Sequence, residues 1–202
     1  MADDLTRKHL QRTRIRGAPS SIPGAAGLVG TYEIQEAARP TCRALALALG
    51  KDFDVPELRA ASQKLAQTAA RQGLRALEPA LCALYGDPME DPPHAWSWKA
   101  VLPFRGPFKA DGDVAVEVVH GGAYVQSVTT KGFEDLRNLY TYLLGEYLPR
   151  HKQELTRPII YHRVLDGIEG DDPGKLTLCV YIPIQLSLKP PVKLVTRHEL
   201  TS

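Results

Sequence analysis

Trp96 and Trp98 stand two residues apart in AWSWKAVLPF, so on an extended chain their rings share one face. Two rigid indoles side by side suit stacking on a flat ligand, and they suit the filling of a core equally well. Their face points either to a covering helix or to a channel. In PIIYHRVLD, His162 carries an imidazole that can hydrogen-bond a neutral or anionic ligand and titrate near neutrality. The plainer alternative is a strand histidine at a rim or satisfied in a core. Tyr161 is the alternate occupant, because a shift of one residue in strand phase exchanges the two side chains. Tyr181 lies in the strand-like KLTLCVYIPI. Tyr140 and Tyr147 fall on a helical stripe, where packing under a sheet is the simpler role; Tyr140 is kept among the ligand-binding candidates.

Other chemistry is poorly represented. No serine, cysteine or lysine stands beside a base in the pattern of an activated nucleophile. Asp166, Glu169, Asp171 and Asp172 lie among glycines, but they lack the alternating carboxylates and terminal bidentate glutamate of a calcium loop. A solvated hairpin loop is the expectation there. Gly121–Gly122 precedes no GK[ST] and opens no helix, so it predicts a bend or bulge in a strand rather than a phosphate loop. The cysteines, Cys42, Cys82 and Cys179, form no CxxC and have no histidine at metal spacing. They read as reduced, buried thiols of a cytoplasmic protein. No metal and no cofactor is expected.

The elements that must position these residues occur twice. From Tyr32 to about Pro103, and again from Asp113 to about Ile184, the pattern runs strand, helix, strand, strand. Tyr32–Leu49, a helix over 55–73, Glu78–Pro88 and Ala95–Phe104 make the first copy. Val114–Thr130, a helix over 133–148, Pro158–Asp166 and Lys175–Ile184 make the second. Two such modules tend to pair, and the seam between them is a natural pocket.

Val55, Leu58, Ala61, Leu65 and Ala69 recur at three and four, which gives one apolar helix face. Asp54 before Val55–Pro56 has the order of an N-cap and first-turn proline, and Gly73 stands where a left-handed turn would stop the helix. In the second copy Phe133, Leu136, Leu139, Tyr140, Leu143, Tyr147 and Leu148 form a broader stripe that Pro149 closes. The last strand of each copy is apolar on both faces. Trp96, Trp98, Ala100 and Leu102 stand opposite Val101 and Pro103; Leu176, Leu178, Val180 and Ile182 stand opposite Cys179 and Tyr181. Helices must therefore cover one side and something else the other. Tyr85–Gly86–Asp87–Pro88 and Gly167 to Gly174 read as hairpin loops.

The ends differ from the middle. Residues 1–30 carry five arginines and lysines between Arg7 and Arg16 and then a small-residue run, the pattern of a flexible basic arm. Such an arm can bind nucleic acid weakly by counterion release, but Asp3 and Asp4 dilute it and a solvated tail is the expectation. Residues 188–202 read as a C-terminal tail. The longest apolar run, Ala44 to Leu49, is too short to span a membrane, and no secretory signal is visible. A net charge of +2 calls for no acidic partner.

With these residues in place the chain resembles the GyrI-like, or AraC-type effector-binding, family. The resemblance is carried by YEI, a helix ending in Gly73, ALYGDP, HGGAY (His120 to Tyr124), the helix after Lys131, the strand ending VLD and the closing YIPI. It covers roughly Thr31 to Ile184. It implies an α+β fold of two strand–helix–strand–strand modules (31–106 and 112–187, together a domain of 31–187) related by a pseudo-twofold. Their antiparallel sheets form a concave ligand channel with the helices outside. It also implies binding of small lipophilic or aromatic molecules. In the family the domain is fused to DNA-binding domains or stands alone as a drug-sequestering or gyrase-protecting protein, and one branch hydrolyses cyclopropane-containing DNA alkylators.

Two departures bear on chemistry. The family usually places a glutamate in the strand that here reads YHRVLD, and the matching position is His162 or Tyr161, depending on one gap. Without the acid a buried cation has no charge partner, at a cost of several kcal/mol. Some members carry a tryptophan in the second helix, where the nearest match is Leu136. Tyr85 matches a tyrosine common in the family's first module. The expected ligand-binding set is thus His162, Tyr161, Trp96, Trp98, Tyr85, Tyr140 and Tyr181. The expected function is stand-alone capture or sensing of a hydrophobic ligand. The alternatives are a hydrolase of strained electrophiles, with His162 as general base, and a protein-interaction module docking on a partner such as DNA gyrase.

Overall fold

The computed structural model describes residues 32–186. The expected basic arm and the expected C-terminal tail lie outside the described residues. In chain order the elements are β1 (Ile34–Arg39), β2 (Cys42–Ala48), α1 (Val55–Arg71), β3 (Arg75–Ala76), β4 (Leu81–Tyr85), β5 (Ser97–Arg105), β6 (Ala115–Val119) and β7 (Gly122–Thr129). Then come α2 (Leu136–Tyr142), α3 (Leu148–Arg150), β8 (Gln153–Leu155), β9 (Ile159–Asp166) and β10 (Thr177–Leu186). The fold is α+β, and all strands join one antiparallel sheet whose path is β1-β7-β10-β9-β4-β5-β2-β6. Each half of the chain contributes strand, helix, strand, strand. The halves meet at the central pair β4–β9, where Cys82 faces His162.

Both long leading strands break in the middle, the second at the bend expected of Gly121–Gly122 and the first without a forewarning in the strand pattern. Residues 32–49 divide at Pro40–Thr41 and residues 114–130 at His120–Gly121. The register runs on across both breaks, since Arg39 faces Gly122 and Cys42 faces Val119. One long two-stranded ladder therefore links the two ends of the sheet, each stretch bending to serve both halves. Pro40 has no N–H to lose at the bend. Gly121 is required there: a Cβ would lie 2.4 Å from the Thr41 nitrogen and 2.7 Å from the Arg39 oxygen. The Gly121 N–H donates to Thr41 Oγ1 at 2.9 Å. Gly121→Ala must push two backbones apart, and the expected cost, read from urea unfolding, is about 2 kcal/mol.

The first helix forms as its caps predict. Asp54 accepts from the Glu57 N–H at 2.8 Å, Pro56 occupies the first turn, and Gly73 takes φ +65° beyond the end. The second helical stretch is less regular than its apolar stripe suggests. A 3₁₀ turn at Gly132–Asp135 leads into α2, which widens into a π turn at Leu143–Tyr147 before α3. Pro149 supplies no donor to the carbonyl four residues back, and the helix widens over that stretch.

The two helices cover one face of the sheet. Leu58 and Leu65 of α1 pack with Leu102 and Phe104 of β5, and Leu139 of α2 and Leu143 just beyond it with Val180 and Ile182 of β10. Tyr124, Tyr161, Val101 and Cys179 fill the opposite face. The alternation read in β5 and β10 is thus the division between two cores. Cys82 and Cys179 are buried free thiols, whereas Cys42 is only half-buried. The acidic β9–β10 loop serves as an anchor: Arg59 of α1 donates to the Ile168 and Gly170 carbonyls at 2.8 and 2.7 Å and pairs with Asp171. Among the described residues no cluster of side chains has the makings of a metal site, and no helix is long and apolar enough to cross a membrane.

Candidate functional site

Where the two helices start, on the helix-bearing face of the sheet, a cavity of about 620 Å³ opens between them. Its floor is aromatic: Trp98 from β5, Phe133 from the turn before α2, and Tyr140 from α2 itself. Phe53, just before the α1 cap, closes one side, with its ring 5.4 Å from those of both Trp98 and Phe133. The β4–β5 loop forms the roof with Met89, Pro93 and Trp96.

Local sequence explains each placement. Trp96 folds over Gly86, whose φ of +143° and missing Cβ leave room for the indole, and its Nε1–H donates to the Asp91 carbonyl at 3.1 Å. Phe133 is aimed by Gly132, which has φ +53°. The Gly132 N–H donates to the Leu176 carbonyl at 2.9 Å, and a Cβ there would overlap the Pro173 oxygen. Trp98 bridges the two helix-side cores, packing on residues of both.

His162 lies directly under this floor with 0% of its surface exposed. Its ring is 5.4 Å from Trp98 and 6.0 Å from Tyr140. Nδ1 contacts the Cys82 carbonyl at 2.9 Å, so the proton sits on Nδ1, and Nε2 accepts from the Tyr140 hydroxyl. Burial drives the imidazole pKa down to about 4, opposed in part by the bond to the Cys82 carbonyl. The same burial raises the Tyr140 phenol well above its ordinary value. The floor is therefore uncharged at neutral pH.

The other sequence candidates point elsewhere. Tyr161, Tyr85 and Tyr181 belong to the core on the opposite face and are turned away from this cavity. There Tyr85 bonds Glu117, which also pairs with Lys99, and Tyr181 lies 4.5 Å beneath the Arg39 guanidinium. Burial raises all three phenols, that of Tyr181 to about 12. The structure thus brings Trp96, Trp98 and Tyr140 together over His162 and leaves these three tyrosines out. Sequence reasoning missed Phe53 and Met89, and placed Phe133 only on the helix stripe. Phe53 had a usable signal, a hydrophobic residue immediately before a helix cap; Met89, in an irregular loop, had none. A second hollow, along the outer side of α1, is more open and holds none of the candidates.

Residues 42–185 match the model of the GyrI-like small molecule binding domain. The chain belongs to this family. Domains of this family bind small molecules. The fold is similar to that of the EcmrR C-terminal domain, at 19% identity and TM-score 0.60 over 77% of this chain and 98% of that one. EcmrR in its complex with DNA is similar at 18% identity and TM-score 0.59, over 77% of this chain and 58% of that one. A hydrolase from Listeria innocua is similar at 14% identity and TM-score 0.53, over 75% of this chain and 91% of that one. At these identities the likeness is one of fold. A search of curated proteins finds no match.

Proposed function

We propose that this GyrI-like domain captures or senses an uncharged aromatic or lipophilic group in the cavity between its helices. The observation that carries the reading is the floor itself. Trp98, Phe133 and Tyr140 form an aromatic platform, and the buried polar pair below it, Tyr140 and His162, is neutral and internally satisfied. An apolar cavity with few polar groups is the usual form of a small-molecule site. A buried cationic group would meet no carboxylate at that floor, so preference for cations is not expected.

The same pair argues against hydrolysis. A general base works best with a pKa near the operating pH, whereas here burial moves the imidazole down and the phenol up. Proton transfer from Tyr140 to His162 would create two buried charges. We therefore favour binding over the hydrolase reading. A thermal-shift series of flat aromatic compounds, cationic, neutral and anionic, tests this. A ligand at a hundredfold excess over its Kd is expected to add about 2.7 kcal/mol of stability. His162→Glu, which restores an acid to the floor, is expected to move the response toward cations. Stabilisation of the natural protein by cations alone would refute the reading.

A further inference from the structure

The cavity mouth carries charge that its floor lacks. Lys51, from the turn before α1, and Arg137, from the first turn of α2, both line it and are exposed. Among the described residues neither makes an ion pair: Lys51 Nζ donates to the His94 carbonyl at 3.3 Å, and the Arg137 guanidinium has no partner. The two acids at the same mouth are engaged differently. Asp54 is the cap of α1, accepting from the Glu57 N–H at 2.8 Å. Asp91 Oδ2 accepts from the Asp87 N–H at 2.7 Å within its own loop. Among the described residues the mouth thus offers one guanidinium without a partner and one ammonium held only by a long bond to a carbonyl, while each of its carboxylates accepts a shorter bond from a backbone N–H. The N-terminal end of α1, in the same wall, adds a partial positive field.

We infer that the ligand class is an aromatic weak acid, seated with its ring on Trp98 and Phe133 and its anionic group between Lys51 and Arg137. The inference rests on the reading of the cavity as an aromatic-ligand site and names the ligand's charge and orientation. A ring carboxylate suits the arrangement well. The apolar part reaches the dry floor, the carboxylate stays at the solvated rim without full desolvation, and a guanidinium can hold it with two parallel hydrogen bonds.

Isothermal titration of the full chain at low salt, with 2-naphthoate, 2-naphthamide and 2-naphthylmethylammonium, tests it. The three probes share one ring system and differ in charge. Naphthoate is expected to bind about tenfold more tightly than naphthamide, the return from two partly exposed charge contacts. In the double variant Lys51→Gln/Arg137→Gln that ratio is expected to fall to about one, as the same contacts are lost. Both side chains are exposed, so folding should survive; circular dichroism would check it. If naphthamide or the ammonium binds as tightly as naphthoate, or if the double variant keeps the ratio, the anionic preference is overturned and the aromatic site stands. If none of the three binds the natural protein, the cavity reading falls with it.

Discussion

Replacing Trp98 with alanine is expected to lower the unfolding free energy by about 3 kcal/mol and to abolish binding of flat aromatic ligands. The indole belongs to both helix-side cores and contacts Phe53, Phe133 and the His162 ring. Its loss leaves a hole continuous with the cavity. That hole removes the platform on which a ligand would stack, and it separates α1's core from α2's. The cost sits at the lower end of the range for tryptophan truncation because part of the ring already faces open space. In a domain of this size it corresponds to roughly 10 °C in Tm. Trp96→Ala is the comparison. Trp96 lies in the roof loop and is tied mainly to Asp91, so its removal should weaken ligand binding at about 1 kcal/mol of stability or less. Equal stability losses from the two variants would mean that Trp98 does not join the cores.

The second large effect is a dependence of stability on pH set by His162. Its folded pKa of about 4 lies below the ordinary histidine value of 6.5, so the unfolded chain takes up the proton first as pH falls. The contribution is fully present above about pH 6.5 and is lost progressively down to about pH 4, amounting to about 3 kcal/mol across that window. Carboxylates titrate there as well, so the measurement is a difference. Unfolding free energies at several pH values between 7 and 4 are compared for the natural protein and His162→Gln. Glutamine can accept from Tyr140 and donate to the Cys82 carbonyl, but it does not titrate. The variant is expected to show the shallower slope, and identical slopes would refute a neutral buried imidazole.

Much of the framework is legible in the residues alone. The α1 caps at Asp54 and Gly73 follow from local side-chain-to-backbone chemistry, which needs no tertiary partner. The alternation in β5 and β10 separates residues that lie in different cores, because period two survives wherever both faces are buried. Short elements that exist only through a neighbour are not legible. β3 and β8 are held by β5 and β10 alone. The break at Pro40 is not legible either, because it is matched to the bend at Gly121 by a contact between stretches eighty residues apart, although the glycine pair itself signals a bend.

The site shows the same division more sharply. By itself the sequence determined that an aromatic face stands on β5, that a tyrosine-bearing helix follows the second leading strand, and that β9 carries tyrosine and histidine side by side. It could not decide which of those two meets the helices. β9 is apolar on both faces, with Ile160 and Val164 in phase with His162 and Ile159 in phase with Tyr161, so alternation favours neither. Only the tertiary structure chose. β9 pairs with β4 in the register that sets His162 against Cys82, and α2 brings the Tyr140 hydroxyl down onto the imidazole. That placement turns Tyr161 to the far core, buries His162 in neutral form, and leaves an uncharged aromatic floor beneath a mouth lined by Lys51 and Arg137.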